Sequence, residues 1–222
     1  MTVRVEFFFD LSSPWTRLAF ANIRPALDGL DYSIAWRPFL VGGVFNAVNP
    51  SVYESRKPEN AARLARSFGW LKQWAELAGV GMNFPSEHHP LKSVNAMRFC
   101  CALEEEQEAL ERFAHAAFEA YFTHARNLDD PAVLVAVANE AGLGGAALAE
   151  RAASQPVKDR LRANTDEAIA RGAFGSPTII VHDPTGEEQL YFGNDQLPLV
   201  RAKVAALQQK ERDARVALLT RC

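Results

Sequence analysis

Apolar and polar residues alternate at the start of the chain, in the segment Val3-Arg4-Val5-Glu6-Phe7. A period of two is typical of a β-strand, so we predict a strand over residues 3–9. A helix over residues 14 to about 27 and a second strand over residues 32–38 follow. Such a strand–helix–strand unit is expected to have parallel strands and a right-handed crossover.

From about Phe45 the apolar residues recur every three or four positions, which is the period of an amphipathic helix. Trp70 and Trp74 are four positions apart in the first of these helices, and an aromatic pair at this spacing is expected in the core. The helices are predicted over residues 53–79, 91–103, 106–124, 130–140 and 144 to about 171.

The chain returns to strand character after this helical segment. The β-branched run Ile179-Ile180-Val181 predicts a buried strand over residues 178–182. A turn at residues 183–186 and a strand over residues 189–192 predict a hairpin, and a final helix is expected from Leu197 onward. The pattern therefore predicts an α/β protein in which a long helical segment separates two parts of one sheet.

The composition narrows the classes of protein to consider. With 222 residues, 48% of them apolar, the chain can bury a substantial core without disulfide bonds. The formal charge of −3 comes from interspersed acids and bases, so nucleic-acid binding is not expected, and no apolar run is long enough to cross a membrane. Because the first residues lack the features of a secretory signal, a cytoplasmic protein is expected.

The cysteines are Cys100, Cys101 and Cys222. Their spacing fits neither a zinc site nor a redox pair, so we interpret all three as structural or incidental. A redox sensor made of the adjacent Cys100 and Cys101 is the alternative.

The five histidines do not form a metal-binding pattern. His88-His89 lie in a predicted loop, and His115, His124 and His182 are distant from them in the sequence. No metal site is therefore predicted. The acidic run at residues 104–108 also lacks the spacing of metal ligands and is interpreted as a solvated helical face.

The first candidate for chemistry is Ser13-Pro14-Trp15-Thr16, where the first strand meets the first helix. In thioredoxin-like proteins a reactive Cys-x-x-Cys pair occupies this place, whereas this chain has a hydroxyl and no thiol. A helix N-terminus favours an anion, so Ser13 is suited to donating its O–H to the thiolate of a bound small thiol and lowering its pKa. The alternative is that Ser13 only caps the helix.

The second candidate is Gly175-Ser176-Pro177-Thr178, just before a predicted strand. Thioredoxin-like proteins have a cis-proline here, opposite the start of the first helix, and the cis form is accessible only before proline. By this analogy Ser176 would offer its backbone N–H and C=O to a ligand. The alternative is an ordinary trans proline that opens a strand.

These two elements and the motifs between them resemble the kappa-class glutathione transferase and 2-hydroxychromene-2-carboxylate isomerase family, which has a DsbA-like thioredoxin fold. The resemblance runs from about residue 3 to residue 205. The shared motifs, in chain order, are Asp10 to Pro14, Arg37 to Phe45, Asn83-Phe84-Pro85, Asn95-Ala96-Met97-Arg98, Phe174 to Thr178, and Phe192-Gly193-Asn194-Asp195.

The resemblance implies a thioredoxin-like sheet with a large all-helical insertion. The thioredoxin-like domain is expected over residues 1–44 and 172–210, the insertion over residues 45–171, and a C-terminal helical tail over residues 211–222. It also implies glutathione as the cofactor, a homodimer, and a role in the catabolism of aromatic compounds.

The implied activity is a glutathione-dependent isomerisation of an aromatic-derived acid, in which a thiolate held by Ser13 adds reversibly. Glutathione would place its cysteinyl backbone on Ser176 beside Pro177 and its γ-glutamyl end at the turn Gly193-Asn194-Asp195. In the alternative interpretation of that turn, Asn194 and Asp195 only cap the last helix. The residues expected to contact the second substrate are Trp15, Arg17, Phe39, Asn49 and Lys92.

Arg17, the loop at residues 48–51 and the stretch at residues 87–92 depart from the family pattern, which leaves the second substrate open. Two other functions remain as alternatives. One is a kappa-like transferase or peroxidase, which would use the same Ser13. The other is a non-catalytic module that binds peptides in a thioredoxin-like groove.

Overall fold

The sheet of this protein is mixed and has four strands in the order β2-β1-β3-β4. The computed structural model describes residues 2–54 and 57–219, the last five of them by their backbone only. The strands are β1 at Val3–Phe9, β2 at Tyr32–Pro38, β3 at Thr178–His182 and β4 at Glu188–Phe192.

The two ends of the chain meet in this sheet. β1 pairs in parallel with β2, with Phe7 opposite Trp36, and pairs antiparallel with β3, where Phe7 faces Ile179. β3 and β4 form the expected antiparallel hairpin. The prediction of a thioredoxin-like sheet with helices inserted between its two halves is confirmed.

The helices account for most of the remaining chain. None of the helices in the described residues is both long and apolar enough to cross a lipid bilayer. In chain order they are α1 (Pro14–Ala26), α2 (Val41–Val48), α3 (Ser51–Glu54), α4 (Ala61–Ala78), α5 (Val94–Ala102), α6 (Gln107–Phe118), α7 (Pro131–Glu140), α8 (Gly145–Ala153), α9 (Gln155–Ala170) and α10 (Leu197–Leu219). Short 3₁₀ turns lie at Pro58–Asn60 and Asn194–Gln196, and a π-helical turn at Glu119–Thr123 follows α6.

The bounds of the inserted helices differ from the prediction in three places. The helix predicted over residues 53–79 is not one helix in the described residues, because α3 ends at Glu54 and α4 begins at Ala61 after a 3₁₀ turn. The helical segment begins at Val41, directly after β2, and not near Phe45. The single helix predicted over residues 144–171 is two helices, because Ser154 has extended backbone angles (φ −68°, ψ 153°) and ends α8. A new helix then starts with Pro156 in its first turn, where proline is well tolerated.

Aromatic side chains from β1 build a core on each face of the sheet. On one face Phe7 packs edge-on against Trp36, with ring centroids 5.2 Å apart, and Trp36 also contacts Phe20 of α1. On the other face Phe8 packs against Phe39 at 6.1 Å. Successive residues of a strand point to opposite faces, so consecutive phenylalanines serve both cores.

The prediction that Trp70 and Trp74 lie in the core is wrong. Their side chains are 58% and 37% exposed, whereas Leu71 and Ala75, each one position further along α4, are buried. The spacing of four identified a shared helical face correctly, but the buried face is the neighbouring one. Spacing alone cannot tell which of two adjacent faces meets the rest of the protein.

Cys100 and Cys101 are buried in α5. Burial is the main reason that the pKa of each thiol is raised, so neither forms a thiolate readily. This favours a packing role over a redox sensor. Cys222 lies outside the described residues.

A buried carboxylate, Glu6 of β1, organises a charged cluster on the Phe8 face of the sheet. Its oxygens contact Nη1 of Arg37 at 3.1 Å, Nη2 of Arg171 at 2.6 Å and Nε2 of His182 at 2.8 Å. The two guanidinium groups also lie 5.2 and 5.5 Å from the centroid of the Phe8 ring. His182 is therefore not isolated, as its place in the sequence had indicated.

The expectation that the acidic run at residues 104–108 is a solvated helical face is wrong for Glu104. Glu104 is buried, not solvated; it contacts Nε of Arg37 at 3.1 Å and accepts hydrogen bonds from Asn164. Glu6, His182 and Glu188 bring potential metal-ligand atoms within 4.8 Å of one another. Nη2 of Arg171 contacts both of these carboxylates, so a guanidinium already supplies the positive charge.

We predict that Glu6→Gln destabilises the protein at neutral pH by on the order of 3 kcal/mol. Burial alone would raise the pKa of Glu6, but hydrogen bonds from Arg171 and His182 and the charges of Arg171 and Arg4 lower it from 4.5 to about 2. The stabilisation is thus complete above the unfolded-state pKa and is lost as the pH falls from about 4.5 towards 2.

Urea unfolding of both proteins at several pH values measures this difference. The free-energy gap between wild type and Glu6→Gln should narrow over that acidic range. A difference in unfolding free energy that stays constant over this pH range would contradict the claim that ionisation of Glu6 stabilises the fold.

Candidate active site

The site is organised around Ser13, which lies where β1 turns into α1. Its Oγ accepts a hydrogen bond from the backbone N–H of Thr16 at 3.2 Å, and Pro14 is the first helical residue. The predicted cap is thus present. The same hydroxyl donates a hydrogen bond to the carbonyl oxygen of Ser176 at 3.1 Å, so capping does not exhaust its hydrogen-bonding capacity.

The peptide bond between Ser176 and Pro177 is cis, which agrees with the analogy to thioredoxin-like proteins and not with the alternative of a trans proline. The Ser176 hydroxyl accepts a hydrogen bond from the N–H of Asp10 at 3.0 Å and lies 2.7 Å from the hydroxyl of Thr16. The segment before β3 is thereby fastened to the first turn of α1. The Ser176 carbonyl oxygen has two lone pairs, so it can accept a hydrogen bond from a ligand while the Ser13 hydroxyl still donates to it.

Asp10 lies beneath this turn and is completely buried. Its two carboxylate oxygens each accept a backbone hydrogen bond of 2.9 Å, Oδ1 from Ser12 and Oδ2 from Val41 at the start of α2. The Ser93 side chain also hydrogen-bonds to this carboxylate. Burial is the largest influence on this group and raises the pKa of Asp10, against the effect of these donors.

A residue of the helical insertion also contacts the turn between β1 and α1. The N–H of Leu11 points at Sδ of Met97, 3.3 Å away, and Met97 belongs to α5. Sulfur is a weak acceptor, but it is the group that meets this buried N–H. The position of Ser13 therefore depends on residues that are 80 or more positions away in the sequence.

Ser13 and Ser176 line a cavity of about 370 Å³, which we call the aromatic cavity. Its polar lining comes from Ser12, Ser13, Asn49, Ser67, His89 and Ser176. Asn49 donates a hydrogen bond from Nδ2 to the carbonyl of Phe174 at 3.0 Å. The aromatic side chains around it are Trp15, Phe45, Phe68, Phe84, Phe174 and Phe192.

A second cavity of about 360 Å³ adjoins the first, and we call it the Lys92 cavity. Ser12, Val41, Phe45 and His89 line both cavities, whereas Lys92 lines only the second. Of the residues expected at the second substrate, the structure thus brings Trp15 and Asn49 to the aromatic cavity and Lys92 to the cavity beside it.

Arg17 and Phe39 are not among the residues that line either cavity. The Arg17 side chain is 1% exposed and forms an ion pair with Glu119 in the π-helical turn. Phe39 is fully buried against Phe8 on the other face of the sheet. This placement corrects the expectation that both residues contact the substrate. Neighbouring residues of a helix or strand lie on different faces, so a residue next to a site residue in the sequence can point away from the site.

The turn expected to hold the γ-glutamyl group lies next to the cis-proline. The N–H of Gly193 donates to the carbonyl of Pro177 at 3.3 Å, and Gly193 has φ 106°, a value that favours glycine. Asn194 is buried and Asp195 is exposed. Oδ2 of Asp195 accepts a hydrogen bond from Nε2 of Gln196 at 2.9 Å, and the alternative that Asn194 and Asp195 cap the last helix stays a prediction.

His89 was missed as a site residue. Both histidines of the loop had been expected in solvent, but His89 is half-buried and its ring centroid lies 4.6 Å from that of Phe84. The available signal was its position shortly after Asn83-Phe84-Pro85, one of the motifs that carry the family resemblance. No local pattern distinguished it from His88.

The fold and the position of Ser13 define a class of protein. Residues 4–205 match the family model described as a DsbA-like thioredoxin domain, and the chain belongs to that family. Solved structures support the fold: the structure of a 2-hydroxychromene-2-carboxylate isomerase aligns with a TM-score of 0.77 and 21% identity, over 95% of this chain and 98% of that one.

The sequence relatives of this chain are more informative about activity than the solved structures are. Glutathione S-transferase kappa 1 of Rattus norvegicus is 27% identical over 201 residues, which is 88% of each chain. The 2-hydroxychromene-2-carboxylate isomerase of Sphingobium xenophagum is 26% identical and covers 91% of this chain and 98% of its own. The resemblance to these two groups is confirmed, and both are groups of enzymes.

We predict that Asp10→Asn destabilises the protein by about 1–3 kcal/mol. The amide replaces one acceptor oxygen by an NH₂ group, which would face the N–H of either Ser12 or Val41 and leave that donor without an acceptor. Urea unfolding of both proteins measures the difference.

Asp28→Asn is the matched control, because Asp28 is exposed, and a change within about 0.5 kcal/mol is expected there. Equal stability of Asp10→Asn and the wild type would show that this carboxylate does not hold the turn.

Proposed function

We propose that this protein is a glutathione-dependent isomerase of an aromatic-derived acid similar to 2-hydroxychromene-2-carboxylate. The observation that carries the proposal is the hydroxyl of Ser13 at the N-terminus of α1, at the wall of a cavity lined by aromatic side chains. An isomerase of this name among the relatives, matched over 98% of its length, supports it.

Glutathione supplies the thiol that the chain lacks at this position. Its sulfur would accept the Ser13 O–H, and the N-terminus of α1 would further favour the thiolate. The cysteinyl backbone would pair with Ser176 beside Pro177. At the other end, Asp195 would bind the γ-glutamyl ammonium, while Gly193 and Asn194 position the turn that receives the carboxylate.

The thiolate then acts as a nucleophile. It adds to an unsaturated carbon of the substrate, a former double bond becomes single, rotation follows, and the thiolate is expelled. Such a covalent route replaces one difficult rotation by two easier steps. No atom is gained or lost overall, because the thiol returns to its starting state.

The cavity lining fits a flat apolar molecule with an anionic end. Trp15 and the phenylalanines would contact the aromatic body, and Asn49 would hydrogen-bond substrate or glutathione at the cavity wall. Lys92 would attract the carboxylate from the adjoining cavity. A cytoplasmic homodimer is part of the proposal, and sedimentation measures the oligomeric state directly.

A glutathione transferase of the kappa type is the second candidate. It is favoured by the rat kappa 1 relative, at 27% identity over 88% of each chain. In that case the thiolate would attack an electrophile and stay bonded to the product. Product analysis separates the two: an isomerase consumes no glutathione, whereas a transferase consumes one molecule per turnover.

We predict that Ser13→Ala lowers kcat by on the order of 10²–10³-fold, since the variant loses the hydrogen-bond donor to the thiolate. Ultraviolet difference spectra of the protein with glutathione at neutral pH should show thiolate absorbance in the wild type and not in the variant.

Ser154→Ala is the matched control, because Ser154 also precedes a helix with proline in its first turn but does not line either cavity. Its thiolate signal and kcat should equal those of the wild type. No thiolate signal and no saturable glutathione binding in the wild type would contradict the proposal and favour a peptide-binding module.

A further inference from the structure

The proposed contacts of glutathione give no role to the imidazole of His89. Its side chain lines both the aromatic cavity and the Lys92 cavity. Among the described residues around the aromatic cavity, it is the one histidine, the residue type that most often serves as a general acid or base. Hydroxyls and amides can hydrogen-bond a substrate oxygen, but an imidazole can also transfer a proton to it.

The surrounding contacts hold His89 in the cavity wall. Its backbone N–H donates to the carbonyl of Ser86 at 3.1 Å, and the preceding carbonyl, that of His88, accepts the hydroxyl of Tyr121 at 3.2 Å. The ring meets Phe84 at an interplanar angle of 72°. A ring placed by backbone hydrogen bonds and by an aromatic neighbour is oriented before a substrate arrives.

The two cavities place three groups in a definite order. Ser13 lines only the aromatic cavity, Lys92 lines only the other, and His89 lines both. The ring-opened form of 2-hydroxychromene-2-carboxylate has a matching order of groups. The unsaturated carbon that a thiolate attacks comes first, the ketone oxygen is next, and the carboxylate is at the end.

We propose that His89 is a further catalytic residue, which donates a proton to the ketone oxygen of an unsaturated keto acid as the thiolate adds. The inference rests on the proposed function. A C–S bond forms, the electrons of the C=C bond shift toward the ketone, and the ketone oxygen becomes an enol hydroxyl by taking a proton from the imidazolium form of His89, which is left neutral. The former double bond is now single and rotates. In the reverse step the proton returns to His89, the C–S bond breaks, and the thiolate leaves.

The test compares His89→Gln and His89→Phe with the wild type, using glutathione and 2-hydroxychromene-2-carboxylate. Gln keeps a hydrogen-bond donor but cannot exchange a proton near neutral pH, and Phe keeps a ring without a donor. Both variants should lose about 10²-fold or more in kcat. The thiolate absorbance of bound glutathione should remain, since Ser13 is unchanged.

His88→Gln is the matched control, because the adjacent side chain lines neither cavity and the variant keeps the backbone carbonyl that Tyr121 uses. It should retain the wild-type kcat. Full turnover by His89→Gln, with the thiolate signal intact, would overturn the proton transfer and leave the proposed function standing.

Loss of both turnover and thiolate signal in the two His89 variants would also overturn the inference, since the residue would then be structural. A wild-type protein without a thiolate signal would overturn the proposed function and this inference together. These outcomes are distinguishable because the thiolate signal and the turnover are measured separately.

Discussion

The buried carboxylate of Asp10 is the constraint on which the candidate site depends. A carboxylate removed from water must be hydrogen-bonded, and its donors come from Ser12, from Val41 and from Ser93. These belong to the turn after β1, the start of α2 and the approach to α5. One buried group thus fixes the relative positions of the turn that carries Ser13 and of two pieces of the chain that line the cavities.

The site combines parts of the chain with different tasks. The sheet and its adjoining turns contribute Ser13 and Ser176, the polar groups suited to a thiol and a peptide backbone. The helical segment contributes Phe68, Phe84 and His89, which shape the space for a second molecule. The division of the chain at residues 45 and 171 stays a prediction, and the helical segment itself begins at Val41.

Sequence reasoning succeeded where a local pattern is decided by local physics. Alternation located β1, and the Ser-Pro pair located the start of α1. It failed where packing over long sequence distances decides: helical spacing could not say that Leu71, and not Trp70, faces inward, and an acidic run gave no sign that Glu104 meets Arg37 and Asn164. His89 entered the site for the same reason, because only the folded loop places it between two cavities.

The hydrogen bond from Ser13 to the carbonyl of Ser176 means that the Ser13 hydroxyl already has an acceptor before a ligand binds. A bound thiol that takes over the Ser13 hydroxyl exchanges one neutral hydrogen bond for another, so in the thiol form this contact adds little net affinity. The gain appears when the sulfur ionises, as a lowered pKa of the thiol. Affinity then has to come from the two ends of the ligand. Recognition and activation are thereby separable: a ligand is held by its ends and made reactive at its centre.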